Sequence, residues 1–133
     1  KQAKVHIATL PVIEMDPSQV YQLFLNLIAN GLKFNKAETP MIEITCQKEN
    51  KNLWEIRVQD NGIGLDKKFK EKIFEPFFKV HGRREYTGTG TGLAICKKLV
   101  ERHHGTISAE GEGGKGTTFT IKLPEQQLNL EEI

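Results

Sequence analysis

The 133 residues are 38% hydrophobic and 27% charged, with a net charge of +2. That length supports one domain with its own core, and the composition is that of an ordinary globular domain. So small a net charge leaves no electrostatic footprint for nucleic acid or an acidic lipid surface, and no apolar run reaches bilayer-spanning length.

The chain opens on KQAKVHIATL, so abruptly that a piece of something longer is expected, with nothing that reads as a secretory signal. KVHIAT and VIEM both read as short strands. DPSQ follows as a helix start, with Asp16 as N-cap, Pro17 at the first helical position and Gln19 as the return partner of a capping box. Val20, Leu23, Phe24, Leu27, Ile28 and Leu32 then recur at the 3.6-residue period, which predicts a helix to about Phe34. MIEITCQK and LWEIRVQD alternate apolar and polar residues around the break KENKN, as the arms of a hairpin do. LDKKFKEKIFE predicts a short helix capped by Asp66, with Phe69 and Ile73 four apart.

Residues 79–92, KVHGRREYTGTGTG, have no periodicity, and so long an irregular stretch within a small domain is usually functional. A helix is expected over 92–104, then strands in GTISAE and TTFTIKLP around the turn GEGGKG. The expected domain is 1–124, followed by a tail, 125–133, that frays or packs through Leu128 and Leu130. Strands, hairpins and helices in this order predict a two-layer α/β (α+β) sandwich: a mixed, largely antiparallel sheet with helices on one face. The two cysteines, Cys46 and Cys96, lie in separate apolar segments with no CxxC, so buried reduced thiols are expected.

Three features carry chemistry. Asn26, Asn30 and Lys33 fall within roughly 60° of one another on the first helix, away from its apolar stripe. A solvated face would look the same, yet asparagine is a poor helix-interior residue. An amide oxygen is also a good ligand for a hard cation whose other ligands are phosphates. Asp60 leaves a strand into NGIG. This is a common turn, and equally a place where a buried carboxylate could accept from an adenine amino group. TGTGTG precedes a helix, where free backbone N–H groups are able to meet an anion.

In this order the segments NLIANGLKF, DNGIG, FEPFF, GTGTGL and GGKGTTFTIKLP resemble the catalytic ATP-binding domain of bacterial sensor histidine kinases, in the GHKL ATPase superfamily. The resemblance implies that ATP lies between the helix layer and a flexible lid over about 79–92. It implies that Asn30 ligates Mg²⁺, that Asn26 lines the phosphate side and that Lys33 meets a phosphate, with Asn30 and Lys33 the catalytic pair. Phe34 then packs on adenine, Asp60 reads its amino group, and Gly62 and Gly64 line that loop. Gly88, Gly90 and Gly92, with Thr89 and Leu93 beside them, form the phosphate-facing hinge. Thr117 and Thr118, after Gly116, belong to the last glycine box. Lys79, Arg83 or Arg84 supplies the lid's phosphate contact.

The sequence departs from the family at Gly31, where alanine is usual, at Thr91, usually aliphatic, and at His104, usually glycine. None of His6, His81, His103 and His104 is followed by an acidic residue, so the phosphoacceptor histidine is expected on a dimerisation domain outside this chain. The resemblance implies γ-phosphoryl transfer from Mg-ATP to that histidine, a response regulator downstream, a monomeric fragment and a cytoplasmic setting. No nucleic-acid partner and no direct membrane contact are expected. A serine kinase of the anti-sigma type and a non-catalytic docking module of the same fold are the competing readings.

Overall fold

The computed structural model describes residues 2–78 and 92–126. In chain order its elements are β1 (Lys4–Ile7), α1 (Pro17–Lys33), β2 (Met41–Asn50), β3 (Leu53–Asp60), α2 (Gly92–Arg102), β4 (Thr106–Gly111) and β5 (Thr117–Pro124), with two 3₁₀ turns between β3 and α2. The strands form one sheet in the order β1-β2-β3-β5-β4. β1 runs parallel to β2, and the other neighbours are antiparallel.

Period-two alternation sorts the sheet into two faces. Ile42 and Ile44 of β2, Ile56 and Val58 of β3, and Phe119, Ile121 and Leu123 of β5 are buried on one face. There they meet Leu23 and Leu27 of α1 and Cys96, Leu99 and Val100 of α2 in a single core. The opposite face carries Glu55, Arg57, Thr118, Thr120 and Lys122 around an open concavity. Helices on one side and a polar sheet face on the other make the expected two-layer sandwich. Both cysteines are free thiols.

The local differences have physical causes. Val12–Met15 form no strand: Val12 is 90% exposed, and the backbone bond Glu14 N–H to Glu125 O at 2.9 Å does not make a ladder. The segment after Asp66 is two 3₁₀ turns, Lys67–Phe69 and Lys72–Phe74, instead of one helix. Asp66 still caps the first of them. Ile73 and Phe74 are both buried, and a straight α-helix would aim such neighbours about 100° apart. Phe74 meets Phe119 edge-on at 6.3 Å, while Phe69 packs on Phe78 at 5.6 Å. Phe77, by contrast, is 73% exposed, at a φ of 65°.

At the start of α1 the Asp16 carboxylate accepts the N–H groups of Ser18 and Gln19. The reciprocal bond expected of Gln19 is absent, because the Asp16 N–H goes to His103 Nε2. α2 ends two residues earlier than the sequence predicts, and His104 follows in the left-handed region at φ 62°.

Candidate functional site

α1 presents its polar stripe along the edge of the core where β3 ends and α2 begins. Asn26 donates from Nδ2 to the Gly92 carbonyl at 3.4 Å, which ties the stripe to the first residue of α2. Asn30 is half-buried one turn further on, and its carbonyl accepts the N–H of Phe34. Lys33 is exposed, with its ammonium 5.5 Å from the Phe34 ring centroid. Among the described residues a Cβ on Gly92 would meet nothing within 4 Å. Leu93 is half-buried just inside α2.

Asp60 is the most constrained group in this region. It pairs with Ile42 across the sheet, so its side chain points to the helix side, and it is only 8% exposed. Its Oδ1 accepts the Gly62 N–H at 2.8 Å and the Thr117 N–H at 3.2 Å. Burial raises the carboxyl above the ordinary aspartate range, and those two N–H groups work in the opposite direction. Oδ2 lies on the α1 side, next to Gly31.

The glycines around Asp60 are close-approach positions. A Cβ on Gly62 would run into the Phe34 carbonyl, and one on Gly116, at φ +89°, into the Asp60 carbonyl. Two backbone segments therefore pack closely around Asp60.

Two residues that the sequence reading missed hold this arrangement together. Asn35 Nδ2 donates to Asn61 Oδ1 at 2.8 Å and to the Gly31 carbonyl at 3.2 Å. The same Asn61 oxygen accepts the Met41 N–H at 2.8 Å, and Asn61 Nδ2 donates to the Thr39 carbonyl. The end of α1, the start of β2 and the loop after Asp60 are thus stitched by two amides. Their signal was present: an asparagine just past a helix end and another in a turn are both suited to local backbone bonding.

The structure therefore gathers Asn26, Asn30, Lys33, Phe34, Asp60, Gly62, Gly92, Leu93 and Thr117 along one margin of the helix layer, while Gly64, at φ +87°, closes on the Glu112 carbonyl in the turn between β4 and β5. Thr118 also lies apart. It pairs with Gln59 and Glu110, so its side chain faces the polar side of the sheet with Arg57 and Lys122. Lys79, Arg83, Arg84, Gly88, Thr89 and Gly90 lie outside the described residues.

Residues 15–127 match the sequence profile of the family described as histidine kinase-, DNA gyrase B-, and HSP90-like ATPase. The chain belongs to this ATPase family. Among its relatives is a phytochrome-like protein, Cph1, of Synechocystis, 45% identical over 92% of this chain and 16% of its own length. Sensor histidine kinase RcsC of Salmonella typhimurium is 37% identical over 82% of this chain and 11% of its own. The chain thus spans about a sixth or less of the length of these relatives.

Within the family the fold is that of histidine kinase catalytic domains. The catalytic domain of histidine kinase ThkA, in a nucleotide-free form, superposes with a TM-score of 0.74 at 28% identity, over 94% of this chain and 80% of that one. Full-length ShkA in complex with AMPPNP gives 0.78 at 26% identity, over 96% of this chain and 26% of that one.

Proposed function

We propose that this domain binds Mg-ATP against the polar margin of α1 and transfers its γ-phosphoryl to a histidine on a dimerisation domain of the same kinase. A response regulator would then receive the phosphoryl group. The observation that carries this reading is the Asp60 carboxylate. Oδ1 is held by two backbone N–H groups, which leaves Oδ2 to accept from an exocyclic amino group. Adenine offers that amino group, and guanine offers a carbonyl at the same position, so the carboxylate selects adenine.

Each remaining residue has a role in positioning. Phe34 closes the base end, and Lys33 brings a positive charge to the phosphate side. Asn26 holds the first turn of α2 against α1, so backbone N–H groups of that turn face the phosphates. Among the described residues no group of three His, Cys, Asp or Glu could hold a metal ion. The donor set that fits Mg²⁺ is the Asn30 amide oxygen together with phosphate oxygens. Bound there, Mg²⁺ neutralises charge on the transferring phosphoryl group. The lid cation is one of Lys79, Arg83 and Arg84, of which an arginine suits bidentate contact better.

The test of phosphotransfer is to incubate the chain with γ-labelled ATP and a separate dimerisation domain bearing the acceptor histidine. Label on the acceptor that is lost in acid and kept in base supports histidine transfer. Acid-stable label would instead favour the serine-kinase reading, and nucleotide binding without any transfer the docking module.

A further inference from the structure

Glycine in a helix interior costs about 1 kcal/mol relative to alanine, so Gly31, near the end of α1, needs a packing reason. The reason is on the sheet. A Cβ at Gly31 would lie 2.5 Å from Ile42 Cδ1, 3.1 Å from Asp60 Cβ and 3.2 Å from Asp60 Oδ2. Ile42 is fully buried, so its Cδ1 has no solvent to move into. Nor is Asp60 free to swing aside, because Gly62 and Thr117 hold its Oδ1. The bare Cα lets α1 close on two side chains at once, one of them the carboxylate assigned above to the base.

We propose that Gly31 is a positioning residue for Asp60. By letting α1 approach the β2–β3 pair, it sets where Oδ2 is presented to a bound purine, and so tunes the selectivity for adenine. This rests on the nucleotide reading of the preceding section. Ile42 is the coupled partner: replacing it by valine removes Cδ1, the nearest of the three atoms that crowd a methyl group at position 31.

The experiment compares the 133-residue chain with Gly31→Ala, Ile42→Val and the double variant. Binding of ADP and of IDP, which carries a carbonyl in place of the amino group, is measured for each by calorimetry. Titration of the Asp60 carboxyl carbon is followed by NMR in the nucleotide-free proteins. Gly31→Ala is expected to weaken ADP about ten-fold, the scale of one hydrogen bond to a charged group, with little change for IDP. Its Asp60 titration should leave the wild-type position, and Ile42→Val added to it should restore both readouts to within about two-fold and to the original midpoint.

Loss of ADP and IDP in equal proportion, or an unmoved Asp60 titration, would overturn the proposal and leave Gly31 as packing alone. A wild-type chain that does not prefer ADP to IDP would instead sink the adenine reading, whatever the titration does.

Discussion

His103, the residue after α2, and Asp16 at the start of α1 are joined through backbone: the Asp16 N–H donates to His103 Nε2 at 3.3 Å. Nδ1 of the same ring lies 2.8 Å from the Leu99 carbonyl. With Nε2 accepting, Nδ1 carries the hydrogen that reaches the Leu99 carbonyl. One buried side chain thereby fastens the end of one helix to the beginning of the other.

Replacing His103 by alanine should therefore cost more than a surface change. It removes a buried ring and both of its backbone partners' bonds, a loss on the order of 1–3 kcal/mol. Chemical denaturation should show a lower midpoint with an unchanged slope, since the fold itself persists.

His104 predicts the opposite sign. It occupies the left-handed position after α2 at φ 62°, where a Cβ is strained and glycine is not. His104→Gly is expected to stabilise the domain by about 1 kcal/mol. A lower thermal midpoint for the variant would contradict that reading of the helix end.

Asp60 should trade stability for binding. A carboxyl whose folded pKa lies above its unfolded one contributes stability in acid and loses it as the pH rises through the folded value. Burial raises Asp60 in this way, so at neutral pH its charge is a cost to the nucleotide-free fold. Asp60→Asn keeps an oxygen for the Gly62 and Thr117 N–H groups and removes the charge. The variant is expected to melt higher than wild type at pH 7, with the margin shrinking as the pH falls through the raised Asp60 pKa. Calorimetric melts across that range provide the check.

The two thiols should differ sharply. Burial pushes the Cys96 thiol up to about 12, and its sulfur is fully enclosed against α1. Cys46 is only half-buried, with its sulfur on the Thr9 carbonyl. A thiol reagent on the native protein should modify Cys46 first, and Cys96 only after denaturant is added. Mass spectrometry of the labelled peptides distinguishes the two.

Much of this architecture was legible because its elements obey one period each. α1 shows six apolar residues at helical spacing, and β2, β3 and β5 alternate cleanly, so both layers and the buried face could be read from the chain. The 3₁₀ turns could not, because Phe69 and Ile73 also satisfy a helical spacing and only tertiary packing of Phe74 on Phe119 decides otherwise. The short run Val12–Met15 has strand-forming residues but, among the described residues, no neighbouring strand to pair with.

At the site, the helix stripe and Asp60 were visible as residue types out of place. Asn35 and Asn61 were visible only as residues suited to local backbone bonding; their distant partners, each other and the Thr39 and Met41 backbone, were not, nor was the bond from the Asp16 N–H to His103. Thr118 stands apart for a simpler reason: adjacent residues on a strand face opposite ways, and its side chain lies on the polar face of the sheet.

The central claim is that the Asp60 carboxylate reads an adenine amino group, and calorimetric titration of the chain with ADP and IDP, in wild type and Asp60→Asn, tests it most directly. The account predicts that wild type prefers ADP, and that Asp60→Asn, which turns a donor toward the amino group, abolishes the preference in a folded protein. Equal affinity for the two nucleotides in wild type, or an Asp60→Asn variant that still prefers ADP, would contradict it.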